Sequence, residues 1–502
     1  MFVSPTVRRL WETVLETLAT MTTAIRELEP KEVWNFFSDL NAVPRPSKKE
    51  ERVIAFIMDF GKKLGLPTER DEVGNVLIKK PASKGREDRP TIALQSHLDM
   101  VHQKNSSTNF DFLNEGIRMF LDGDWVKAEG TTLGADNGIG VACAMAVLAS
   151  EDLAHPPIEA LFTIDEETGM TGAKGLKGGL MSARYLLNLD TEEDTELCIG
   201  CAGGLDVEGN GEYQEAALPD GGTVYELKLT GLSGGHSGMD IHLGRGNANK
   251  LMNRALRCFS QDTELRLIEI DGGGLRNAIP RESTCRFWVP QAAQEAVQEK
   301  LQELQKNLSV EYATTDPQVT LTLQPAQGAT GATPEFSATF LRTVYGLPNG
   351  IYRLSPDVEG LVQTSSNLAR VVLKEGTFKL ACLVRGSVDS EKGDLAEALT
   401  CGMEQSGATV ERFGEYPGWA PKPESEVVQV MQKIYTELFQ TKPHVMACHA
   451  GLECGILGTN YPDMEMISFG PNIRGAHSPD ERVQVSSVQK IWKLLVATLE
   501  QL

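Results

Sequence analysis

The chain has 502 residues, 41% hydrophobic and 23% charged, with 48 basic side chains against 69 acidic ones and a formal net charge of −21. That length requires two or three domains rather than one core, and the acidic surplus excludes nucleic-acid or anionic-membrane binding as the main role. Nine scattered cysteines, an odd number, suit free thiols in a reducing compartment, so a cytoplasmic protein is expected.

Residues 1–20 lack the uninterrupted apolar core of a signal peptide, because Trp11, Glu12 and Glu16 break it. They read as an amphipathic helix forming an extension, with Met21 as an alternative start. From 30 to 205, short apolar strands alternate with helical stretches, the pattern of an α/β domain with a largely parallel sheet. The predicted strands are 75–80, 91–100, 158–167 and 183–190. The longest apolar run, Ile139–Ala149, is too short to span a bilayer and reads as a buried helix. Cys198 and Cys201 in "CIGC" have no second pair at zinc-site spacing and read as core.

From about 206 the texture becomes α+β. Strands are expected at "GTVYELKLTGL", "STCRFWVP" and "QVTLTLQPA", with helices at "NANKLMNRALRCFSQ" and "QAAQEAVQEKLQELQKNL". A strand–strand–helix series recurs at 363–407, as if one unit were doubled. After the Pro-rich junction "YPGWAPKPES" come a helix at 424–439, the strand "MEMISFG" and a C-terminal helix. These complete the first domain, giving a catalytic domain from 1–205 and 416–502 with 206–415 inserted.

The polar residues fall in a pattern. His97 and Asp99 end one predicted strand, Glu166 and Glu167 another, and Asp190 a third, while His477 follows a fourth in "SFGPNIRGAHSPD". Asp136, in "GTTLGADNGIG", precedes the buried helix. A single acidic pair after a strand is ordinarily an exposed turn. Six such residues at strand ends instead point to a ligand, because open α/β sheets bind at the carboxyl ends of their strands. His97, Asp136, Glu167, Asp190 and His477 are too many ligands for one tetrahedral zinc. With one bridging carboxylate, each of two metals gains three protein ligands and keeps a place for water. Three carboxylates and a bridging hydroxide then balance two divalent ions. Adjacent on a strand, Glu166 and Glu167 would point to opposite sides, so one should coordinate while the other takes a proton from water. At i and i+2, Asp99 can orient the imidazole of His97. His-Glu-x-x-His, Gly-x-Ser-x-Gly and Walker motifs are absent.

These residues, with "QSHLDMVHQKN", "DEETGMTGA", "LSGGHSGMDIHLGRGNANK", "LRNAIPRE", "HAGLECG" and "GPNIRGAHSPDE", resemble the cytosolic aminoacyl-histidine dipeptidases (Xaa-His dipeptidase, peptidase D). These are carnosinase-like members of the co-catalytic dizinc aminopeptidase and carboxypeptidase clan, and the likeness runs over roughly residues 30–490. The resemblance implies a dizinc exopeptidase-like domain with an inserted lid, acting on small peptides as a homodimer. It implies two divalent ions, Zn2+ first, with Co2+ or Mn2+ as alternatives. His97, Asp136 and Asp190 would hold one ion and Asp136, Glu167 and His477 the other. Asp136 would be the bridge, Glu166 the general base and Asp99 the orienting acid. It also places His236 beside the scissile carbonyl and lines the substrate site with Asn277, Arg385 and Gly451, the guanidinium suiting a free carboxylate. Taken singly, His236 would be a polar turn and Arg385 a surface ion-pair residue. His449 stays unassigned, as a residue of the pocket or one that supports a site residue, and His102, His155, His242 and His444 read as structural or exposed. The rivals are another peptidase or N-acyl amino acid deacylase of the clan, and a scaffold protein that has lost catalysis. A scaffold should lack a ligand or the base, and none is missing.

Overall fold

The structure, a computed structural model, describes residues 24–502; the expected helix over 1–20 and the start at Met21 lie outside the described residues. Packing divides the chain into two units. One runs to Gly200 and takes up Lys422–Ala447 and Ile456–Leu502; the other is Cys201–Pro421 with Cys448–Gly455. The sequence reading left the last of these stretches with the C-terminal segment. In the structure it joins the second unit, where the Ala202 N–H donates to the carbonyls of Cys448 (3.1 Å) and Ala450 (3.0 Å). A short excursion of this kind changes neither composition nor periodicity, so only the packing reveals it.

In the first unit the larger of two sheets among the described strands is a mixed sheet of eight. Its centre is four parallel strands in the order Ile158–Thr163, Ile92–His97, Tyr185–Asn188 and Glu465–Ser468. Val76–Lys80 and Glu196–Cys201 flank them antiparallel. The three central strands from the first half of the chain are buried throughout, as parallel strands covered on both faces must be. The helix Ala135–Ala149 is apolar all round and correspondingly buried, packed against Lys31–Asn41 and the strand Ile92–His97. Gly140 permits this approach: a Cβ there would stand 2.6 Å from the Leu189 carbonyl oxygen.

One predicted strand is too long. It ends at Thr163, Asp165 takes a left-handed φ of 52°, and the chain turns into a short helix, Glu166–Gly169. Asp165 holds this turn by accepting the hydroxyls of Thr168 and Thr171. The predicted strand 91–100 likewise stops at His97. A smaller antiparallel sheet joins Ile473–Arg474, Arg482–Gln484, Trp125–Ala128 and Met119–Asp122. Its first two strands are connected by residues 475–481, which carry His477.

In the second unit nine described strands form one sheet, beside two short two-stranded ladders, with helices Ala248–Phe259, Pro334–Gly346 and Asp389–Glu404 sharing its core. The two strand–strand–helix series thus merge into a single sheet. Gly203–Glu212, a stretch not among the predicted strands, is glycine-rich and poor in β-formers. It forms because Thr377–Gly386 and Thr409–Tyr416 pair with it on both sides.

Candidate metal centre

The carboxyl ends of the four parallel strands bring the expected residues together. His97 is the last residue of its strand and almost wholly buried; its Nε2 lies 3.1 Å from Asp136 Oδ1 and 3.4 Å from Asp190 Oδ1. His477 Nε2 lies 3.2 Å from Asp136 Oδ2 and 3.1 Å from Glu167 Oε2. The two oxygens of Asp136 therefore face two different sets of partners. His97, Asp136 and Glu167 each offer an atom within 4.8 Å of the others, close enough to share one ion.

The charges are those of a site short of positive charge. Burial works against a charged His97, yet Asp190 and Asp136 outweigh it and hold the ring well above its ordinary range. Hydrogen bonds to Asp136 and Glu167 push His477 up to about 11. Burial, with Asp136 nearby, raises the Glu167 carboxyl, and burial raises that of Asp190. Glu167 Oε1 is buried without a hydrogen-bond partner. An orphaned carboxylate oxygen beside two imidazoles and two further carboxylates is a donor set that fits divalent metal.

Supports surround these groups. Asp99 accepts the N–H of Glu166 on Oδ1 (3.0 Å), and on Oδ2 the N–H of Glu167 (3.3 Å) and the Ser47 hydroxyl (2.8 Å). Its Oδ1 is 3.4 Å from His97 Nδ1, although Asp99 lies beyond the strand end; the same nitrogen is 3.2 Å from the Asp99 carbonyl oxygen. Asp99 thus ties the His97 strand to the turn carrying both glutamates. The adjacent acids share one helical turn and do not face opposite sides of a strand. Glu167 directs its carboxylate into the cluster, its side chain 4% exposed; as whole residues both glutamates are half-buried. A second acidic group, Glu50, Asp99 and Asp165, has its oxygens engaged by backbone and hydroxyl donors instead.

Three residues without an assigned role complete the surroundings. Buried Arg45 donates to the carbonyls of Leu98 (3.0 Å), Asp99 (3.1 Å) and Gly134 (2.5 Å). Asn137 bonds the Asp190 side and Glu481 the backbone before Asp136. Glu481 stands in the quoted block "GPNIRGAHSPDE", but nothing local to that block says what its carboxylate meets. Burial lifts that carboxyl to about 7, against the N–H groups it accepts.

The sequence matches Peptidase family M20/M25/M40 over residues 93–501. The chain belongs to this family. It is 42% identical over 479 residues to the cytosol non-specific dipeptidase of Escherichia coli (strain K12), covering 95% of this chain and 99% of that one. Aminoacylhistidine dipeptidase from Vibrio alginolyticus superposes with a TM-score of 0.90 at 42% identity, over 95% and 97% of the two chains. Aminopeptidase PepT from Bacillus cereus ATCC 10987, 17% identical with a TM-score of 0.54 over 94% and 98%, shares the fold.

The second unit of this M20 peptidase holds the other expected residues. His236 Nδ1 accepts the N–H groups of Gly238 (3.2 Å) and Met239 (3.0 Å), so the neutral ring carries its proton on Nε2. Burial, then Arg385, lowers its pKa and keeps it neutral. That Nε2 is 3.5 Å from Arg385 Nη2, and both are donors. Arg385 is 5% exposed, reaches the Tyr416 hydroxyl (3.2 Å) and has a buried Nε without a partner. It is no surface ion-pair residue. Asn277 is exposed, its carbonyl accepting the Ser237 N–H at 2.7 Å. Gly451 follows two residues after His449, whose Nε2 meets the Ser365 hydroxyl at 2.7 Å. Burial brings His449 down to about 3, so this ring is neutral too.

Proposed function

We propose that the chain hydrolyses dipeptides with C-terminal histidine, such as β-Ala-His, and that it does so in the cytoplasm. That it is a metallo-dipeptidase, a hydrolase of the M20 family, rests on the family match and on the full-length relatives at 42% identity. The observation that carries the mechanism is the division of Asp136, one oxygen toward His97 and the other toward His477. It supports His97, Asp136 and Asp190 as one ligand set and Asp136, Glu167 and His477 as the other. When bound, two divalent ions, Zn2+ in our reading with Co2+ or Mn2+ as substitutes, would supply Lewis-acid polarisation of the scissile carbonyl and acidify water.

The chain's own groups do the rest. Glu166 takes the proton of the attacking water and returns it to the leaving amine as the C–N bond breaks. Asp99 holds His97 and both glutamates in register. Neutral His236 offers its Nε2–H to the carbonyl oxygen as it gains charge. Arg385, buried without a carboxylate in hydrogen-bond contact, suits the free carboxylate of a short peptide, with Asn277 and Gly451 lining the same site. For the cytoplasm speaks the scatter of an odd number of cysteines, nine, along the chain. We also propose a homodimer through the second unit. There the edge strand Gly350–Leu354, beside Ile241–Leu243, exposes Ile351, Tyr352 and Leu354.

A substrate panel tests the specificity, since the Vibrio alginolyticus relative is named for aminoacylhistidine and the Escherichia coli one as non-specific. With β-Ala-His, Gly-His, other dipeptides, tripeptides and N-acetyl amino acids, kcat/KM is expected to be highest for the histidine dipeptides. Equal rates across dipeptides would remove the histidine preference. Faster cleavage of tripeptides or blocked amino acids would favour another activity of the clan.

A further inference from the structure

Besides the bond from Arg45 to the Gly134 carbonyl, two side chains hold the backbone around Asp136 from two directions. On one side Glu481, 3% exposed, accepts four consecutive N–H groups. Its Oε2 takes Leu133 (2.7 Å) and Gly134 (3.0 Å), and its Oε1 takes Ala135 (2.7 Å) and Asp136 (3.3 Å). Glu481 lies four residues beyond His477, at the end of the same connection. That loop is closed by its own turns, with the Glu481 N–H on the Ser478 carbonyl (3.1 Å) and the Ser478 N–H on that of Gly475 (3.2 Å). The strand Arg482–Gln484 then anchors it against Trp125–Ala128. One carboxylate thus locks the segment bearing Asp136 to the loop bearing His477.

On the other side the Asn137 carboxamide donates to the Leu189 carbonyl (2.6 Å) and to Asp190 Oδ1 (2.5 Å). This locks the residue next to Asp136 onto the segment bearing Asp190. No bond of either clamp reaches the partner of the other.

We propose that Glu481 and Asn137 are positioning residues that divide the holding of Asp136 between two metal subsites, Glu481 serving the His477–Glu167 side and Asn137 the His97–Asp190 side. The inference rests on reading those five residues as the ligands. Its physical basis is that a bridging carboxylate must satisfy two ions at once with fixed bond lengths, so each half of its position needs its own support. A carboxylate is required at 481 because four donors converge on it; a carboxamide there would turn an N–H2 group toward two of them.

The test uses metal-free full-length protein titrated with Zn2+ by calorimetry. [15N]histidine NMR, with the His97 and His477 signals assigned, reports which imidazole binds at each step. Wild type is expected to take two ions. Glu481→Gln should keep the step that shifts His97 near its wild-type affinity and weaken the step that shifts His477 by about 10–100-fold, the usual scale for groups supporting ligands. Asn137→Ala should do the reverse. Equal weakening of both steps in both variants, or no weakening, overturns the division of labour. Wild type binding fewer than two ions, or binding without a His97 or His477 shift, overturns the reading of the centre itself. Melting of the metal-free proteins checks folding. Where Glu481→Gln does not fold, Glu481→Asp, which keeps the charge but shortens the reach, carries the same expectation.

Discussion

Glu166→Ala is expected to lower kcat by at least ~10²-fold, within the 10²–10⁴ range for loss of a general base, while the metal content stays at the wild-type level. The expectation follows from the turn Glu166–Gly169. Both glutamates begin one short helix whose first N–H groups sit on Asp99, so their backbones are held by a bond that neither side chain makes. Removing the Glu166 carboxylate leaves that frame, along with His97, Asp136, Asp190 and His477, in place. Glu167→Ala differs, because its Oε2 stands 3.1 Å from His477 and its Oε1 is buried without a partner. That substitution should lower metal content as well as rate. Metal analysis and steady-state kinetics on the two variants decide: if Glu166→Ala loses metal and Glu167→Ala retains it, the roles are exchanged.

His236→Ala is expected to reduce kcat by roughly 10²–10³-fold, the scale for deleting one donor to a developing oxyanion, with metal content at the wild-type level. The donor is prepared before substrate arrives. Two backbone N–H groups occupy Nδ1, leaving the Nε2 proton as the one the ring can offer. Because His236 belongs to the second unit and the ligands to the first, it serves either its own chain or a partner. Mixing decides between these. Inactive His236→Ala and inactive Glu166→Ala chains refolded together regain activity if His236 acts across a dimer, since one hybrid site then has both residues. Verified heterodimers without recovery place the residue in its own chain. Full activity of His236→Ala alone ends the proposal.

The sequence by itself determined where the chemistry could be. Runs such as "IALQSH" and "IEALFT" are continuous because both faces of a parallel strand are covered, and a polar residue at the end of such a run stands at the rim of the sheet. His97 and Asp190 could be found on that ground, His477 in the connection that follows the fourth strand, and Asp136 ahead of its apolar helix. The tertiary structure alone decided what each of them meets. Glu166 and Glu167 stand on a helical turn after a left-handed Asp165, where the alternating strand pattern suggested opposite faces. Gly203–Glu212 is a strand because of its two neighbours, not its own residues. Glu481 reaches backbone N–H groups more than three hundred residues earlier in the chain. Periodicity and turn chemistry act over a few residues and are written locally. A carboxylate's partners depend on which distant segments packing brings within about 3 Å, and that distance exists only once the chain has folded.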